Sequence, residues 1–388
     1  MPAETNSNSL SAFEALESEV RSYSRSFPVV FRKAIGAILE DEDGCEFIDF
    51  LSGAGVLNYG HNDPDLLNRA IKYLQSNGIV HGLDMATSAK REFMEHFDAI
   101  LLRPRGLTYK FQFPGPTGAN AVEAALKLAR KATGRHTVIS FTNGFHGVSL
   151  GALAVTGNRY YRDVAGLPTA GVVFMPYDGY CGADQDTSEY LEKVLSDASS
   201  GVDLPAAIIL ETVQGEGGIN SASKEWLQSV ERLCRKNGIL LIVDDIQAGC
   251  GRTGSFFSFD FAGLSPDIIV LSKSLSGLGL PLSLLLLKPE RDVWRPGEHI
   301  GTFRGNNLAL VTATAALRKY WVTEKLSQGV LEKGRVISER LRQIAQSSRD
   351  CLSVRGRGMM LGLDCSTGKL AGKIARKAFE GGLVVERW

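Results

Sequence analysis

The sequence predicts an α/β fold: a large domain around a mostly parallel, doubly wound sheet, and a smaller α+β domain built from both ends of the chain. Short apolar runs alternate with helical patterns between residues 109 and 287, which is typical of a parallel sheet covered by helices. Alternation on both sides of an Asp-Gly pair, over residues 37–50, indicates a β-hairpin. We expect residues 61–310 to form the large domain, residues 1–60 an N-terminal arm and part of the small domain, and residues 311–388 the rest of it.

Local patterns predict the individual elements in order. Residues up to about 10 are Ser/Asn-rich and are expected to be mobile, whereas residues 13–23 suggest a helix. Asp63 and Pro64 suit the N-cap and first turn of a helix that runs to about Ser76, and a second helix is expected over residues 87–102. The alternating series comprises strands 109–113, 137–141, 172–175, 206–211, 239–243, 268–271 and 282–287, and helices 119–132, 187–195 and 224–236. After residue 306 the sequence predicts helix to about 346 with a break near 323, strands 352–354 and 359–363, helix 369–380 and strand 383–385.

Composition and charge narrow the class of protein. The 388 residues include 43 Lys plus Arg and 43 Asp plus Glu, so the formal net charge is zero; this fits small-molecule chemistry better than nucleic-acid or membrane binding. The polar N-terminus lacks the regions of a signal peptide, and no apolar run reaches the roughly 18 residues of a membrane span, which predicts a cytoplasmic protein. Six scattered cysteines without C-x-x-C spacing predict reduced, mostly buried thiols, with neither a disulfide framework nor a metal site.

A lysine at the end of a predicted strand is the first candidate functional residue. Lys273 follows the buried-strand pattern 268–271 and precedes a glycine-rich turn. An unpaired buried ammonium is costly, so a lysine in such a place tends to lose its proton and can form a Schiff base. A lone lysine is more often a surface residue, and it is the neighbouring motifs that favour a functional role.

Three further stretches supply what a lysine-bound pyridoxal phosphate (PLP) needs. A second strand pattern, residues 240–243, ends at Asp244, whose carboxylate can hold a pyridine nitrogen protonated. Residues 116–120 precede a helical pattern, so backbone N–H groups and a positive dipole end are available to a phosphate. Gly144-Phe145-His146-Gly147 offers an aromatic face between glycines, suited to stacking on a flat ring. Together they predict a PLP site.

These residues belong to a longer set of motifs, through which the chain resembles the class III, fold-type I, PLP-dependent aminotransferases along nearly all its length. The motifs are Glu211-Thr-Val-Gln-Gly-Glu216-Gly-Gly, Asp244-Asp-Ile-Gln, Lys273 and Gly301-Thr302-Phe-Arg-Gly-Asn306. Within that family the chain looks most like the diaminobutyrate-2-oxoglutarate aminotransferases of ectoine biosynthesis, through residues 18–28, 53–61, 78–84, 115–118 and 244–254. Single glycine motifs are weak evidence, but this many in the right order are strong.

The resemblance implies roles for the matched residues around the cofactor. Lys273 is expected to hold the cofactor aldehyde and then to move a proton, and Asp244 to support the ring nitrogen. Gln247 matches the residue that contacts the ring hydroxyl, and Phe145 matches the stacking aromatic. The other cofactor-binding candidates are Thr117, Gly118 and Ala119 at the phosphate, with His146 and Glu211.

Three other residues, Thr302, Asp245 and Cys250, lie in or near the matched motifs. Thr302 matches a residue that reaches the phosphate of the other subunit's cofactor, so the resemblance implies at least a homodimer with shared active sites. Asp245 faces the opposite side of its strand from Asp244 and is expected to be structural. Cys250 is expected to be a packed small residue.

Glu216 and Arg304 are the candidates for substrate binding. In the wider family, the glutamate that Glu216 matches pairs with an arginine and releases it to bind the carboxylate of glutamate. That arginine lies beyond Trp388 in relatives, so the chain is expected to be truncated by family standards. Arg304 is an alternative partner for a carboxylate, with a surface ion pair as the equally weighted alternative.

The resemblance suggests three functional hypotheses. The first is transfer of an amino group from L-glutamate to L-aspartate 4-semialdehyde, giving L-2,4-diaminobutyrate and 2-oxoglutarate, for ectoine or for siderophore and peptide synthesis. The second keeps the cofactor and changes the substrate to ornithine or 4-aminobutyrate, or the reaction to that of an aminomutase. The third is a degenerate relative that binds without catalysis, against which Lys273 and Asp244 both argue.

Overall fold

A computed structural model of the chain describes residues 10–166, 170–182, 184–348 and 350–387. Most of the N-terminal segment that we expected to be mobile lies outside these residues. The helices are α1 Ser11–Leu16, α2 Tyr23–Ser26, α3 Ser52–Gly55, α4 Pro64–Gln75, α5 Ser88–Phe97, α6 Gly118–Thr133, α7 Leu150–Ala154, α8 Arg159–Arg162, α9 Thr187–Ser196, α10 Lys224–Asn237, α11 Asn307–Tyr320, α12 Lys325–Ser347 and α13 Gly368–Glu380. The strands are β1 Phe31–Ile35, β2 Ile38–Asp41, β3 Glu46–Asp49, β4 Lys110–Gln112, β5 Val138–Phe141, β6 Val172–Met175, β7 Ala207–Leu210, β8 Val213–Gln214, β9 Asn220–Ser221, β10 Leu240–Asp244, β11 Ile268–Leu271, β12 Leu284–Leu287, β13 Leu352–Arg357, β14 Met360–Cys365 and β15 Leu383–Val384.

The largest sheet has seven strands, in the spatial order β4-β12-β11-β10-β7-β5-β6. Only β12 runs against the others, because it pairs antiparallel with both β11 and β4 while the remaining pairs are parallel. Every residue of β5, β7, β10, β11 and β12 is buried, which explains their nearly continuous apolar sequences. This confirms the predicted mostly parallel sheet.

Helices cover both faces of this sheet. Alternate strand residues such as Ile242 pack in one apolar cluster with Leu128 of α6. The intervening residues, such as Val243, pack in a second cluster with Trp226 of α10 and Phe93 of α5. Because successive strand side chains point to opposite faces, the sheet is the middle of three layers. The carboxyl ends of its parallel strands meet at one edge, where ligands bind in such folds.

The two ends of the chain meet in a second, four-stranded sheet of order β1-β2-β3-β15. The predicted hairpin is present as β2 and β3, and β15 adds to it in parallel, with Leu383 opposite Ile48. Phe379 of α13 stacks on Phe47 with ring centroids 5.0 Å apart. A separate hairpin, β13-β14, precedes α13. The predicted domain boundaries, at 60/61 and 310/311, stay a prediction.

Some local predictions were wrong. The helix expected over residues 13–23 is replaced by two short helices, α1 and α2, with an irregular segment between them. This stretch contains Ser18 and Ser22, and the Val20 N–H donates to the Ser18 hydroxyl at 3.4 Å; such a side chain competes for backbone hydrogen bonds, which weakens a helix. The cysteines form no disulfide, but only Cys234 and Cys250 are buried, so the expectation of mostly buried thiols was also wrong. Within the described residues, no helix has the length and apolarity needed to cross a bilayer.

Candidate active site

Lys273 lies two residues beyond the end of β11, at the start of a single 3-10 turn. Its φ is +49°, in the left-handed region that residues with side chains seldom adopt, and the surrounding structure must hold this strained conformation. Its Nζ donates to the backbone oxygen of Ala54 at 2.8 Å. Burial lowers the pKa of Lys273, although the Glu216 and Asp244 carboxylates act in the opposite direction. The lysine is therefore biased toward a neutral, nucleophilic amine.

The short glycine-rich segment α3, which contains Ala54 and has left-handed backbone angles at Gly53 and Ala54, packs against the turn that begins at Lys273. Ser274 donates its hydroxyl hydrogen to the Gly55 oxygen at 2.9 Å, and the Asn58 N–H donates to the Ser274 hydroxyl at 3.2 Å. Gly55 has a φ of +87°, which a side chain would strain. The direct contact of this segment with Lys273 was not predicted from the sequence. Its signal is the run Gly53-Ala54-Gly55 itself.

Asp244 and His146 form a buried pair. Asp244 is the last residue of β10, and the distance from its Oδ2 to the His146 Nδ1 is 2.7 Å. Burial works against a charged imidazole, but the hydrogen bond and the charges of Asp244 and Glu211 raise the pKa of His146 overall. The other Asp244 oxygen accepts the Ile246 N–H at 3.2 Å. The carboxylate is thus oriented from two sides.

Glu211 holds the loop that presents Phe145. One carboxylate oxygen accepts the Phe145 N–H at 2.9 Å, and the other accepts the Gly215 N–H at 3.3 Å. Burial raises the pKa of Glu211 to about 7. The Phe145 ring contacts Tyr161 edge to face, with centroids 5.6 Å apart. The sequence placed Glu211 among the cofactor residues, whereas here it contacts the Phe145 backbone, so its role toward a cofactor stays a prediction.

The N-terminus of α6 presents unpaired backbone donors. Thr117 is the N-cap; its hydroxyl accepts the Asn120 N–H at 3.4 Å and donates to the Asn120 Oδ1 at 2.9 Å. Among the described residues, the N–H groups of Gly118 and Ala119 have no partner. A Cβ on Gly118 would stand 2.8 Å from the Cδ1 of Ile246, so glycine lets the helix approach the strand end that carries Asp244. Such a terminus suits an anion.

Gln247 lies beside the same backbone oxygen as the lysine. Its Nε2 donates to Ala54 O at 3.4 Å. A Cβ on Gly215 would come within 1.4 Å of the Gln247 Oε1, so only glycine leaves room for this amide. The contacts therefore bring Gln247 and Lys273 to one point, although their sequence positions are 26 residues apart.

Two predicted site residues, Thr302 and Arg304, form no hydrogen bond with Lys273, Asp244 or Gln247 within the described chain. Thr302 is exposed, in the loop before α11. Arg304 donates from Nη1 to the His299 oxygen at 3.2 Å, and the described residues give it no ion pair. The roles of both stay predictions.

A cavity of 830 Å³ is lined by Tyr23, Phe145, Tyr161, Glu216 and Glu386, among others. The Tyr23 hydroxyl donates to the Glu386 carboxylate. Burial raises the pKa of Glu216 to about 7, opposed by the charge of Lys273. Tyr23 and Glu386 were not among the residues we predicted. The only sequence signal for Glu386 is an acid directly after the last strand pattern.

The site fits a flat, phosphorylated cofactor with an aldehyde. An amine of lowered pKa, an oriented buried carboxylate, an aromatic ring and a helix end with two unpaired N–H groups are the donor set that such a group requires. Gly118 and Gly147 keep this region open, since a Cβ on Gly147 would come 2.8 Å from the Ala119 Cβ.

Comparisons with known proteins agree with this geometry. The ornithine aminotransferase of Toxoplasma gondii has a similar structure, with a TM-score of 0.84 and 27% identity over 97% of this chain and 86% of its own. An uncharacterized aminotransferase of Sinorhizobium fredii is 79% identical over all of this chain and 87% of its own length. The diaminobutyrate–2-oxoglutarate transaminase of Bordetella parapertussis is 59% identical over 97% of this chain and 87% of its own length.

The fold and the site thus define an aminotransferase of fold type I, as the sequence predicted. The chain belongs to the class III aminotransferase family, whose model matches residues 20–388. The hypothesis of a degenerate, non-catalytic relative is not supported.

Proposed function

We propose that this aminotransferase uses PLP to move an amino group from L-glutamate to L-aspartate 4-semialdehyde, giving L-2,4-diaminobutyrate and 2-oxoglutarate by a ping-pong route. The observation that supports PLP as the cofactor is that the Lys273 amine, the Asp244–His146 pair and the N-terminus of α6, with its unpaired N–H groups, lie in one region. The substrates are supported by the name of the Bordetella parapertussis relative, at 59% identity. In this proposal, the product feeds ectoine synthesis.

PLP, when bound, supplies an aldehyde that takes up the amino group and a ring that withdraws electrons from the reacting carbon. Lys273 would hold the aldehyde carbon and, when its amine is free, would move a proton at the substrate carbon. Asp244, oriented by His146, would keep the ring nitrogen protonated. Phe145 would stack on the ring and exclude water from the reacting face.

The remaining residues bind and position the cofactor. The Gly118 and Ala119 N–H groups would hold the phosphate, together with the Thr117 hydroxyl. Gln247 would contact the ring hydroxyl. Thr302 reaches the phosphate in the other subunit, so the enzyme is a homodimer with shared sites. A cytoplasmic location stays a prediction from the sequence.

The proposed reaction requires one site to bind both glutamate and diaminobutyrate, which differ in the charged groups that lie away from the reacting amine. Diaminobutyrate presents an ammonium and a carboxylate away from its reacting amine, whereas glutamate presents a carboxylate alone. Glu216 lies in the cavity with a pKa raised to about 7 by burial, so it changes charge readily as the distal group changes. Arg304 is retained as a candidate for the carboxylate.

The test is to incubate the purified protein and PLP with diaminobutyrate and 2-oxoglutarate and to follow glutamate. We expect glutamate to form and the visible absorbance of the bound cofactor to change when diaminobutyrate is added alone. An absence of turnover with diaminobutyrate would refute the proposed substrate, and an absence of turnover with ornithine and 4-aminobutyrate as well would refute an ω-aminotransferase altogether.

A different ω-amino donor is the second candidate, because the structure is also similar to an ornithine aminotransferase. Rates with ornithine, 4-aminobutyrate and diaminobutyrate at equal concentration separate the two. The donor with the highest kcat/KM identifies the substrate.

A further inference from the structure

Glu386 is a partly buried carboxylate that forms no ion pair with another described residue. It follows β15 and lines the same cavity as Glu216. Its one hydrogen bond in the described chain comes from the Tyr23 hydroxyl, across 363 positions of sequence. Four arginines also line the cavity, yet none of them forms an ion pair with Glu386: Arg25, Arg159, Arg376 and Arg387.

A carboxylate in this position suits a cation brought by the substrate. Removing a carboxylate from water is unfavourable unless a hydrogen bond or an opposite charge compensates, and Tyr23 supplies one hydrogen bond. Glu386 lines one cavity with Phe145, the predicted ring-stacking residue, and with Glu216, so its carboxylate faces the space next to the predicted cofactor site. The phenol leaves the second carboxylate oxygen available.

Diaminobutyrate brings such a cation. When its C4 amine replaces the Lys273 amine at the cofactor aldehyde, its C2 ammonium and C1 carboxylate lie at the distal end of the substrate. 4-Aminobutyrate is the same molecule without the C2 ammonium, and glutamate, which reacts through its own C2 amine, presents only a carboxylate at the distal end. A group that binds the C2 ammonium therefore separates diaminobutyrate from both.

We propose that Glu386, oriented by the Tyr23 hydroxyl, binds the C2 ammonium of the diamino acid and so selects an α,ω-diamino acid over an ω-amino acid that lacks this group. The inference rests on the proposed function, since it names the residue that recognises the distal end of that substrate. Charge-assisted hydrogen bonds are strong and directional, which suits discrimination between substrates that differ by one ammonium.

The test compares Glu386→Gln with the unaltered enzyme. We expect the KM for diaminobutyrate to rise by about tenfold or more, with kcat within about threefold, because a charge-assisted bond is replaced by a neutral one. The KM for glutamate and the inhibition constant of 4-aminobutyrate against diaminobutyrate should stay within about twofold. Glu380→Gln is the matched control, because Glu380 is an exposed acid of α13 that pairs with Lys377.

Each outcome decides between the two proposals. No turnover of diaminobutyrate by the unaltered enzyme refutes the proposed function itself. Turnover with an unchanged KM in Glu386→Gln, or an equal loss for diaminobutyrate, glutamate and 4-aminobutyrate, overturns the role of Glu386. If that variant does not fold, Tyr23→Phe removes only the orienting hydroxyl; a smaller shift of the same kind supports the proposal, and unchanged selectivity refutes it.

Discussion

Lys273 combines two features that rarely occur together, a buried amine and a left-handed backbone. The backbone turns the chain out of β11 abruptly, so the side chain reaches the oxygen of Ala54 instead of continuing along the strand. Strain of this kind costs about 1–3 kcal/mol and persists only where surrounding contacts hold it. The hydrogen bond between Ser274 and Gly55 is one such contact.

Lys273→Ala is expected to lower kcat by at least about 10²–10⁴-fold, because the proposal gives one amine both the covalent and the proton-transfer role. The measurement is glutamate formation from diaminobutyrate. Lys333→Ala, at an exposed position of α12, is the control and should keep full activity. A Lys273→Ala enzyme with unchanged turnover would contradict the assignment of the lysine.

Adjacent acids allow a second test with a built-in control. Asp244→Asn is expected to reduce kcat by about 10²–10³-fold, because a neutral amide cannot hold a ring nitrogen in its protonated state. Asp245→Asn, one position along, should change kcat by less than about threefold, because Asp245 contacts the Ser258 N–H at 3.0 Å instead of His146. Equal losses in the two variants would show that the Asp244 effect is only structural.

Residues that follow predicted strands could be identified from the sequence, but their contacts could not. Lys273 and Asp244 lie at the ends of apolar runs, and a buried strand can be recognised from such a run of neighbouring residues alone. The contact between His146 and Asp244 joins positions 98 apart, and that between Tyr23 and Glu386 joins positions 363 apart. Contacts at that separation depend on how the strands are ordered in space, which one sequence does not specify.

At the scale of elements, the start of α4 shows how a cap signal can be reliable. Asp63 was predicted as the N-cap, and its Oδ1 accepts the N–H groups of Asp65 and Leu66 at 3.0 and 3.2 Å. The same carboxylate accepts hydrogen bonds from Lys319 and Tyr320 at the end of α11. The cap therefore also joins two helices, which the sequence did not reveal.

Asp63→Ala is expected to lower the free energy of unfolding by about 1–3 kcal/mol, since it removes the cap and leaves two partly buried donors unpaired. Asp65→Ala, which removes an exposed ion-pair partner of Lys319, should lower the free energy of unfolding by less than about 1 kcal/mol. Urea denaturation of both variants measures the difference. Equal effects would mean that the helix cap contributes nothing beyond a surface ion pair.

The raised pKa of Asp245 leads us to expect that the free energy of unfolding depends on pH. Burial raises its pKa to about 7, and its Oδ1 has no partner among the described residues. The unfolded chain releases this proton near pH 3.9, so between about pH 4 and pH 7 the folded state binds more protons and stability falls as the pH rises. Above about pH 7 the carboxylate is ionised in both states and the loss is complete.

Asp245→Asn removes this contribution, because the amide does not ionise while its oxygen can still accept the Ser258 N–H. The Tm of the variant should therefore fall less than that of the unaltered protein between about pH 5.5 and about pH 8, by about 2 °C or more. The exposed Asp203→Asn is the control for the loss of one acid and should follow the unaltered protein. Parallel curves for all three proteins would contradict the prediction.

Strands with strong apolar patterns were predicted to within a few residues, and elements without such patterns were missed. The predicted strands 172–175 and 268–271 have the observed bounds, because both are continuous apolar runs, although only 268–271 is fully buried and 172–175 lies at the edge of the sheet. Strand β1, Phe31–Ile35, was missed because Arg32 and Lys33 interrupt the pattern, and those side chains pair with Glu40 on the neighbouring strand. Helices α7 and α8 were missed because four- and five-residue helices have too little periodicity to detect.

At the scale of the whole molecule, an exposed apolar surface surrounds Thr302. Ile300 and Phe303 are each 69% exposed, and Phe303 contacts His81, with ring centroids 5.3 Å apart. The neighbouring segment adds four more exposed apolar side chains: Ile79, Val80, Leu83 and Met85. Exposed apolar side chains concentrated in two segments that contact each other are typical of a subunit interface, which supports the proposed homodimer.

Complementation between two inactive variants tests whether the sites are shared. Lys273→Ala lacks the amine, and Thr302→Glu would place a negative charge beside the partner subunit's phosphate, so each variant alone should be inactive. In a mixed dimer, the subunit with Thr302→Glu keeps its lysine and receives an unaltered Thr302 from its partner, which restores one site of two. Equal co-expression gives about half mixed dimers, so about one quarter of the unaltered activity should return. If Thr302 acted within its own subunit, the mixed dimers would be as inactive as their parents, and the shared site would be refuted even if the dimer itself were confirmed by sedimentation.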